Sequence, residues 1–225
     1  MSPHVSNGKI HELSGFLEEQ WLKEVNVDDL LFLLREEVLQ LDHLVLLGLR
    51  VEATPITSKI INSYNKRQKG TYKTEKGYTW LRAIGDKVVH NQQTLLSAVF
   101  LGIINGIKHW VPLVISEGGK KICYGDSLGF PIPSKLHNAF AWWLQQHDPA
   151  VAPSLQSLPI TSQIDDHSCG ILTINSLRHF VNPCEHKLLS GHKTSIVMER
   201  LKAFNTISNK IIKHVRIIKF IKLSQ

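Results

Sequence analysis

Hydrophobic positions along the chain recur with two periods. Leu30, Leu31, Leu33, Leu34, Val38 and Leu41 follow the spacing of a helix face, with Asn26 or Asp28 as the candidate cap, and residues 16–49 read as two helical stretches. Three runs dense in β-branched and aromatic residues read as strands: Thr94 to Ile104, residues 106–116 (GIKHWVPLVIS) and residues 120–129 (KKICYGDSLG). Asn105-Gly106 is a hairpin signal between the first two, and Glu117-Gly118-Gly119-Lys120 a turn between the second and third. Pro131 and Pro133 end the third strand, and Leu136 to Gln145 then reads as a helix containing Trp142 and Trp143. Ile171, Leu172, Ile174, Leu177 and Phe180 space out a further helix that opens near Cys169, and residues 193–212 a last one, with an ambiguous β-branched tail after His214. Residues 1–15 read as a loose lead-in, and Ile56 to Thr79, polar with Gly70 and Gly77, as an exposed excursion. The sum is an α+β domain in which a hairpin-built sheet packs on the helix that begins near Cys169.

Candidate chemistry sharpens this picture. His109 and Asp126 lie on neighbouring predicted strands. A two-residue turn at Glu117-Gly118 sets them directly opposite; a loop of the two glycines, or of all four residues, sets them diagonal. Either register leaves both side chains on one face. Cys169 falls in the first turn of its helix, after Ser168 or Asp166 as cap, where free backbone N–H groups and the helix dipole favour a thiolate and can help hold an oxyanion. Gln163, six positions upstream in a polar loop, offers an amide donor for the remaining oxyanion contact. A base, an acceptor that orients it, an oxyanion donor and a thiol form a complete set for thiol-dependent acyl chemistry. The competing reading of Cys169 is a buried structural thiol.

The order His109-Trp110, Asp126-Ser127, Gln163, Cys169-Gly170 resembles the ubiquitin-like-protein-specific (sentrin/SUMO) cysteine proteases, of the adenovirus-proteinase type of clan. The likeness spans roughly 97–185, and more loosely the Trp-Leu segment and apolar helix in GFLEEQWLKEVNVDDLLFLL. It implies a papain-like cysteine-protease core with His-Asp-Cys order, in which His109 is the base, Asp126 its orienter, Cys169 the nucleophile and Gln163 the oxyanion donor. It also implies that Trp21 and Trp110 wall a narrow passage for a Gly-Gly tail; flat rigid rings suit a dipeptide without side chains. The implied activity is cleavage after Gly-Gly of a ubiquitin-like modifier, SUMO-like first, with that modifier and its conjugates as partners. The same clan also contains protein acetyltransferases, and an inactive relative would serve as a binding module. Two positions depart from the family's pattern: Ser168 stands where Asp is common, and Glu24 where Asp is usual.

Composition narrows the remaining classes. A chain of 225 residues, 43% hydrophobic, can bury a core as a single catalytic domain over 1–225. Three cysteines, Cys123, Cys169 and Cys184, and no secretory leader point to a reducing, intracellular setting, nucleus or cytoplasm, with Cys123 as a core residue of its strand. The apolar run Leu44 to Leu49 is too short to span a membrane. The net charge of +7 invites a nucleic-acid reading, but the basic residues are scattered and no binding motif accompanies them. Lys210, Lys213, Arg216, Lys219 and Lys222 recur every third residue and drift round a helix, so they form no single stripe. No cofactor is implied. Cys184, His186, His192 and nearby His179 match no zinc spacing, so no metal is expected. A serine nucleophile lacks its Gly-x-Ser-x-Gly elbow.

Overall fold

The computed structural model describes residues 10–41, 48–104 and 107–223. Its frame is a five-stranded mixed sheet in the order β1 (Leu49–Val51), β2 (Thr94–Ile104), β3 (Ile107–Ser116), β4 (Lys121–Tyr124), β5 (Ser154–Ser157). The three central strands run antiparallel, and each edge strand is parallel to its neighbour. Among the described residues eight α-helices accompany it: α1 (Ile10–Leu13), α2 (Glu24–Gln40), α3 (Pro55–Asn65), α4 (Thr71–Thr74), α5 (Thr79–Val89), α6 (Ser134–Gln145), α7 (Cys169–Val181) and α8 (Lys193–Leu223).

The pleat divides the apolar side chains between two cores. Leu96, Ala98, Trp110, Val114 and Cys123 face one core, closed by α2, α7 and α8 through residues such as Leu30, Leu34, Leu172, Ile196 and Ala203. Leu95, Val99, Val111, Leu113, Ile115 and Ile122 face the other, closed by α3, α5 and α6 through Ile56, Ile60, Leu81, Val88, Phe140 and Trp143. The α+β reading, with a hairpin-built sheet against the helix of Cys169, thus holds, and helices cover both faces.

Several sequence expectations need correction. The stretch 56–79 is no exposed excursion. Ile56 and Ile60, one helical turn apart on α3, and Tyr72 and Tyr78 are buried anchors of the second core, hidden in the sequence by the polar residues between them. Residues 10–15 are not a loose lead-in, because Leu13 and Phe16 insert into the first core. Of the 16–49 stretch, residues 42–47 lie outside those described; within 16–41 there is one long helix, beginning at Glu24, and Asn26 caps from inside its first turn, its Oδ1 accepting the Lys23 N–H at 3.1 Å. The tail beyond His214 continues α8. The Asn105-Gly106 turn lies outside the described residues, while β2 and β3 on either side pair with a register shift between Phe100 and Ile103. No helix among the described residues is long and apolar enough to cross a membrane.

The second core contains one directed polar chain. Trp143 Nε1 donates to Tyr72 Oη at 2.9 Å, and the tyrosine hydroxyl donates in turn to His147 Nε2, also 2.9 Å away. That leaves His147 Nδ1 as the N–H donor to Asp86 Oδ1 at 2.7 Å. Burial of the ring, opposed by Asp86, holds the His147 pKa below its ordinary 6.5. The ring lies where a Cβ on Gly85 would be, 2.1 Å from Nε2, so α5 carries glycine there.

Candidate active site

The turn between β3 and β4 decides how His109 meets Asp126. All four residues Glu117–Lys120 form the loop, and Glu117, Gly118 and Gly119 take φ of 53°, 66° and 83° in succession, a run that glycine makes accessible. Ser116 then pairs Lys121 and Leu113 pairs Tyr124, the diagonal register of the two considered. β4 ends at Tyr124, so Asp126 sits just past the strand rather than on it. Gly125 permits that turn, since a Cβ there would approach the Leu158 carbonyl to 2.7 Å.

His109 Nε2 hydrogen-bonds Asp126 Oδ1 at 2.9 Å, and both side chains are sealed from solvent, at 0% and 1% exposed. Asp126 is itself held three ways: Oδ1 also accepts the Leu128 N–H at 2.7 Å, and Oδ2 accepts the Tyr124 hydroxyl at 2.9 Å. Tyr124 escaped the sequence reading, although its place two residues before Asp126, in the same strand phase, was a usable signal. Burial alone would raise the Asp126 carboxyl, but the hydrogen bond and charge of His109 outweigh it and hold the pKa below the ordinary value. For His109 burial opposes the charged ring, yet the hydrogen bonds and charges of Asp126 and Cys169 push it up to about 9.

The second ring nitrogen, Nδ1, is buried without a nitrogen or oxygen partner. Besides Asp126, Cys169 is the ionisable neighbour that raises the pKa of the ring. The cysteine is the first residue of α7, fully buried, with its Sγ 3.6 Å from the Lys108 carbonyl of β3. Ser168 stands at the N-cap position of this helix, one of the two expected residues, but makes no side-chain cap hydrogen bond. Asp165 closes the turn before the helix, accepting the N–H groups of His167 and Ser168 at 2.9 and 2.8 Å and the Ser168 hydroxyl at 2.5 Å. Three residues is the reach of a carboxylate folding back over a turn, so Asp165-x-x-Ser168 was legible.

Gln163 is fixed beside this turn. Its backbone N–H donates to the Ser127 carbonyl at 2.7 Å, its Oε1 accepts from Ser127 Oγ at 2.9 Å, and its Nε2 donates to the Asp165 carbonyl at 2.7 Å. That engages one of the two amide hydrogens and leaves the second for another acceptor. Ser127, next to Asp126, therefore ties the orienter's turn to the glutamine.

The two tryptophans also come together. Trp110 is buried and donates its Nε1 to the Leu22 carbonyl at 2.9 Å. Trp21 stacks on it with centroids 5.8 Å apart and planes at 13°. A peptide between parallel rings needs about 7 Å, two van der Waals contacts, so the passage implied by the resemblance is shut here. Phe100, paired with Trp110 in register and half exposed, completes a three-ring cluster at 5.3 Å from Trp21 and 5.1 Å from Trp110. Lys108 Nζ lies 4.9 Å over the Trp21 ring. The Trp21 Nε1 is buried without an acceptor, a cost of the closed stack. Leu22 packs against Gly170, where an added Cβ would come within 3.2 Å, which explains glycine after the cysteine.

The histidines near Cys184 are engaged otherwise: His179 Nδ1 bonds the His186 carbonyl at 2.8 Å, and His186 pairs with Glu37. Among the described residues no group of three metal-ligating side chains converges.

The sequence matches no family model and no curated protein. Solved structures do match in fold. A de-sumoylating protease is 13% identical, with TM-score 0.67, over 95% of this chain and 90% of that one. The C-terminal protease domain of a SUMO protease in complex with the yeast ortholog of SUMO is 16% identical, TM-score 0.56, over 89% and 82%. A SUMO protease catalytic domain from Chaetomium thermophilum is 12% identical, TM-score 0.55, over 86% and 74%. The chain has the fold of the proteases its motifs resemble.

Proposed function

We propose that this protein is a thiol protease that cleaves after the Gly-Gly end of a ubiquitin-like modifier, SUMO-like first. The observation that carries the reading is the sealed His109–Asp126 hydrogen bond, which leaves Nδ1 uncommitted, beside a buried thiol at the start of α7 that raises the pKa of the same ring. In this reading the thiol proton of Cys169 already rests on His109 when Sγ attacks the scissile carbonyl. The tetrahedral oxyanion is met by backbone N–H of the α7 turn and by the second amide hydrogen of Gln163. His109 then gives its proton to the departing amine, leaving a thioester. Water attacks that thioester, His109 takes and keeps the water's proton, and the sulfur leaves as the thiolate while the modifier departs with a free carboxyl. Asp126 keeps the ring oriented throughout and stabilises the imidazolium.

The Trp21 ring has to lift from Trp110 to admit the tail, and two glycines are the residues that fit a slot between flat rings. The fold shared with a protease solved on the yeast ortholog of SUMO supports this choice of modifier.

The test is incubation with a panel of ubiquitin-like modifiers carrying a C-terminal electrophile, with Cys169→Ser as control. The expected result is a covalent adduct with a SUMO-like member that the variant does not form. A folded wild-type protein that forms no adduct with any member overturns the reading and leaves acyl transfer or passive binding.

A further inference from the structure

Arg200, on α8, is far from the triad in sequence and belongs to none of the motifs, yet it is one of the most buried charges among the described residues, at 3% exposed. Its guanidinium is not paired with a carboxylate. Nη1 donates to the carbonyls of Gly15 and Glu18 at 2.9 and 2.8 Å, and Nη2 to those of Gln20 and His167 at 2.6 and 3.0 Å. The first three acceptors belong to the segment that ends in Trp21; the fourth belongs to the turn that ends in Cys169. A planar fork with fixed donor directions can bridge two backbones in this way, whereas an ammonium cannot hold the same four acceptors. Such burial of a cation is costly without compensation. Burial does lower the Arg200 pKa, against the pull of Asp165, Cys169 and Glu19.

We infer that Arg200 is a positioning residue for the proposed reaction: by bridging the 15–20 backbone to the turn before Cys169 it fixes the Trp21–Trp110 cover, relative to the helix of Cys169, in the setting that a Gly-Gly tail requires. The inference deepens the protease reading and rests on it for the substrate. The supporting contacts run the same way. Leu22 sits on Gly170, Trp110 Nε1 bonds the Leu22 carbonyl, and Trp21 stacks on Trp110, so the anchored segment continues directly into the cover. Since the backbone before Trp21 is clamped, admission of substrate falls to the indole itself.

The test uses Arg200→Lys, which keeps charge and stem but loses the fork, and Arg200→Met, each in a Cys184→Ser background because Cys184 is exposed. Two rates are measured below the unfolding midpoint and referred to folded protein: alkylation of Cys169 by iodoacetamide without substrate, and turnover of a fluorogenic modifier ending in Gly-Gly. A loosened cover exposes the thiol and misplaces the tail, so the rates move in opposite directions. Alkylation rises about threefold, and kcat/KM falls about tenfold, chiefly through KM. If both rates fall together, or neither moves, the inference is overturned and Arg200 serves stability alone. Failure of both variants to fold overturns it in the same sense. If the wild-type protein turns over no modifier, the protease reading fails, and the alkylation rate still decides: unchanged in Arg200→Lys, it overturns the bridge.

Discussion

At His109 the two ring nitrogens are assigned by their surroundings before any substrate arrives. Nε2 is committed to Asp126, so the thiol can use only Nδ1. Because the hydrogen bonds and charges of Asp126 and Cys169 overcome burial, the imidazolium persists to about pH 9. The alkaline limb of kcat/KM is therefore expected near 9 and not near the ordinary 6.5, and Asp126→Asn should bring it down. That variant should also lose on the order of a thousandfold in kcat while keeping its fold, because the carboxylate's work is orientation and charge. A pH profile that ignores the substitution would remove Asp126 from the triad. The linkage to stability has a definite sign. A raised histidine pKa adds stability that is fully present below 6.5 and is lost as the pH climbs through about 9.

At the scale of elements, α4, α5 and α6 are joined by a chain of hydrogen bonds that runs one way from Trp143 to Asp86. Tyr72→Phe leaves Trp143 Nε1 and His147 Nε2 without their partner in a buried site, which costs about 1–3 kcal/mol; a shift in urea midpoint measures it. Here the pH sign is the reverse of that at His109. With the folded pKa of His147 lowered, stability is present above 6.5 and is lost as the pH falls below it. The urea midpoint should drop as the pH falls from about 6.5 to about 5.5, where the contribution of His109 is already complete, and drop less in His147→Gln. The helices before β2, α3 to α5, are also where the sequence was least legible, whereas α6 was read from Leu136 to Gln145. The strands of the meander announced themselves by β-branched runs, and α7 by its spacing after Cys169. By contrast, β1 and β5 are three and four residues long and carry no pattern, and β5 is exposed along its length. In α3 the anchors Ile56 and Ile60 stand among Thr, Ser, Lys and Asn, so burial there depends on partners from α5 and α6 that no local window contains. That His109 and Asp126 would meet was readable because their strands are joined by one short turn; the place of Arg200 was not, because its acceptors are backbone carbonyls that the sequence does not distinguish.

For the whole molecule, the connectivity of the sheet separates what is near in the chain from what is brought together late. The meander β2–β3–β4 closes through short turns, and the His109–Asp126 bond spans only 17 positions. The seat of the nucleophile is different in kind: Cys169 meets Lys108 across 61 positions, and β1 must travel past α3 to α5 before it can lie beside β2. Contacts of long sequence separation are slow to form and come at the larger cost in chain entropy. His109 and Asp126 thus belong to a unit of short-range contacts, and the thiol of Cys169 reaches it only where α7 packs on β3 across the longer separation. Unfolding should run the other way. As urea rises, reactivity toward an electrophile should vanish before the amides of β2 to β4 lose their protection from hydrogen exchange. Loss of both at one concentration would show instead that the site and its scaffold melt as a single cooperative unit. On the first outcome, the chain has a dormant form with its strands intact and its chemistry switched off, so its working lifetime is set by how firmly one helix holds its place and not by the strength of the sheet.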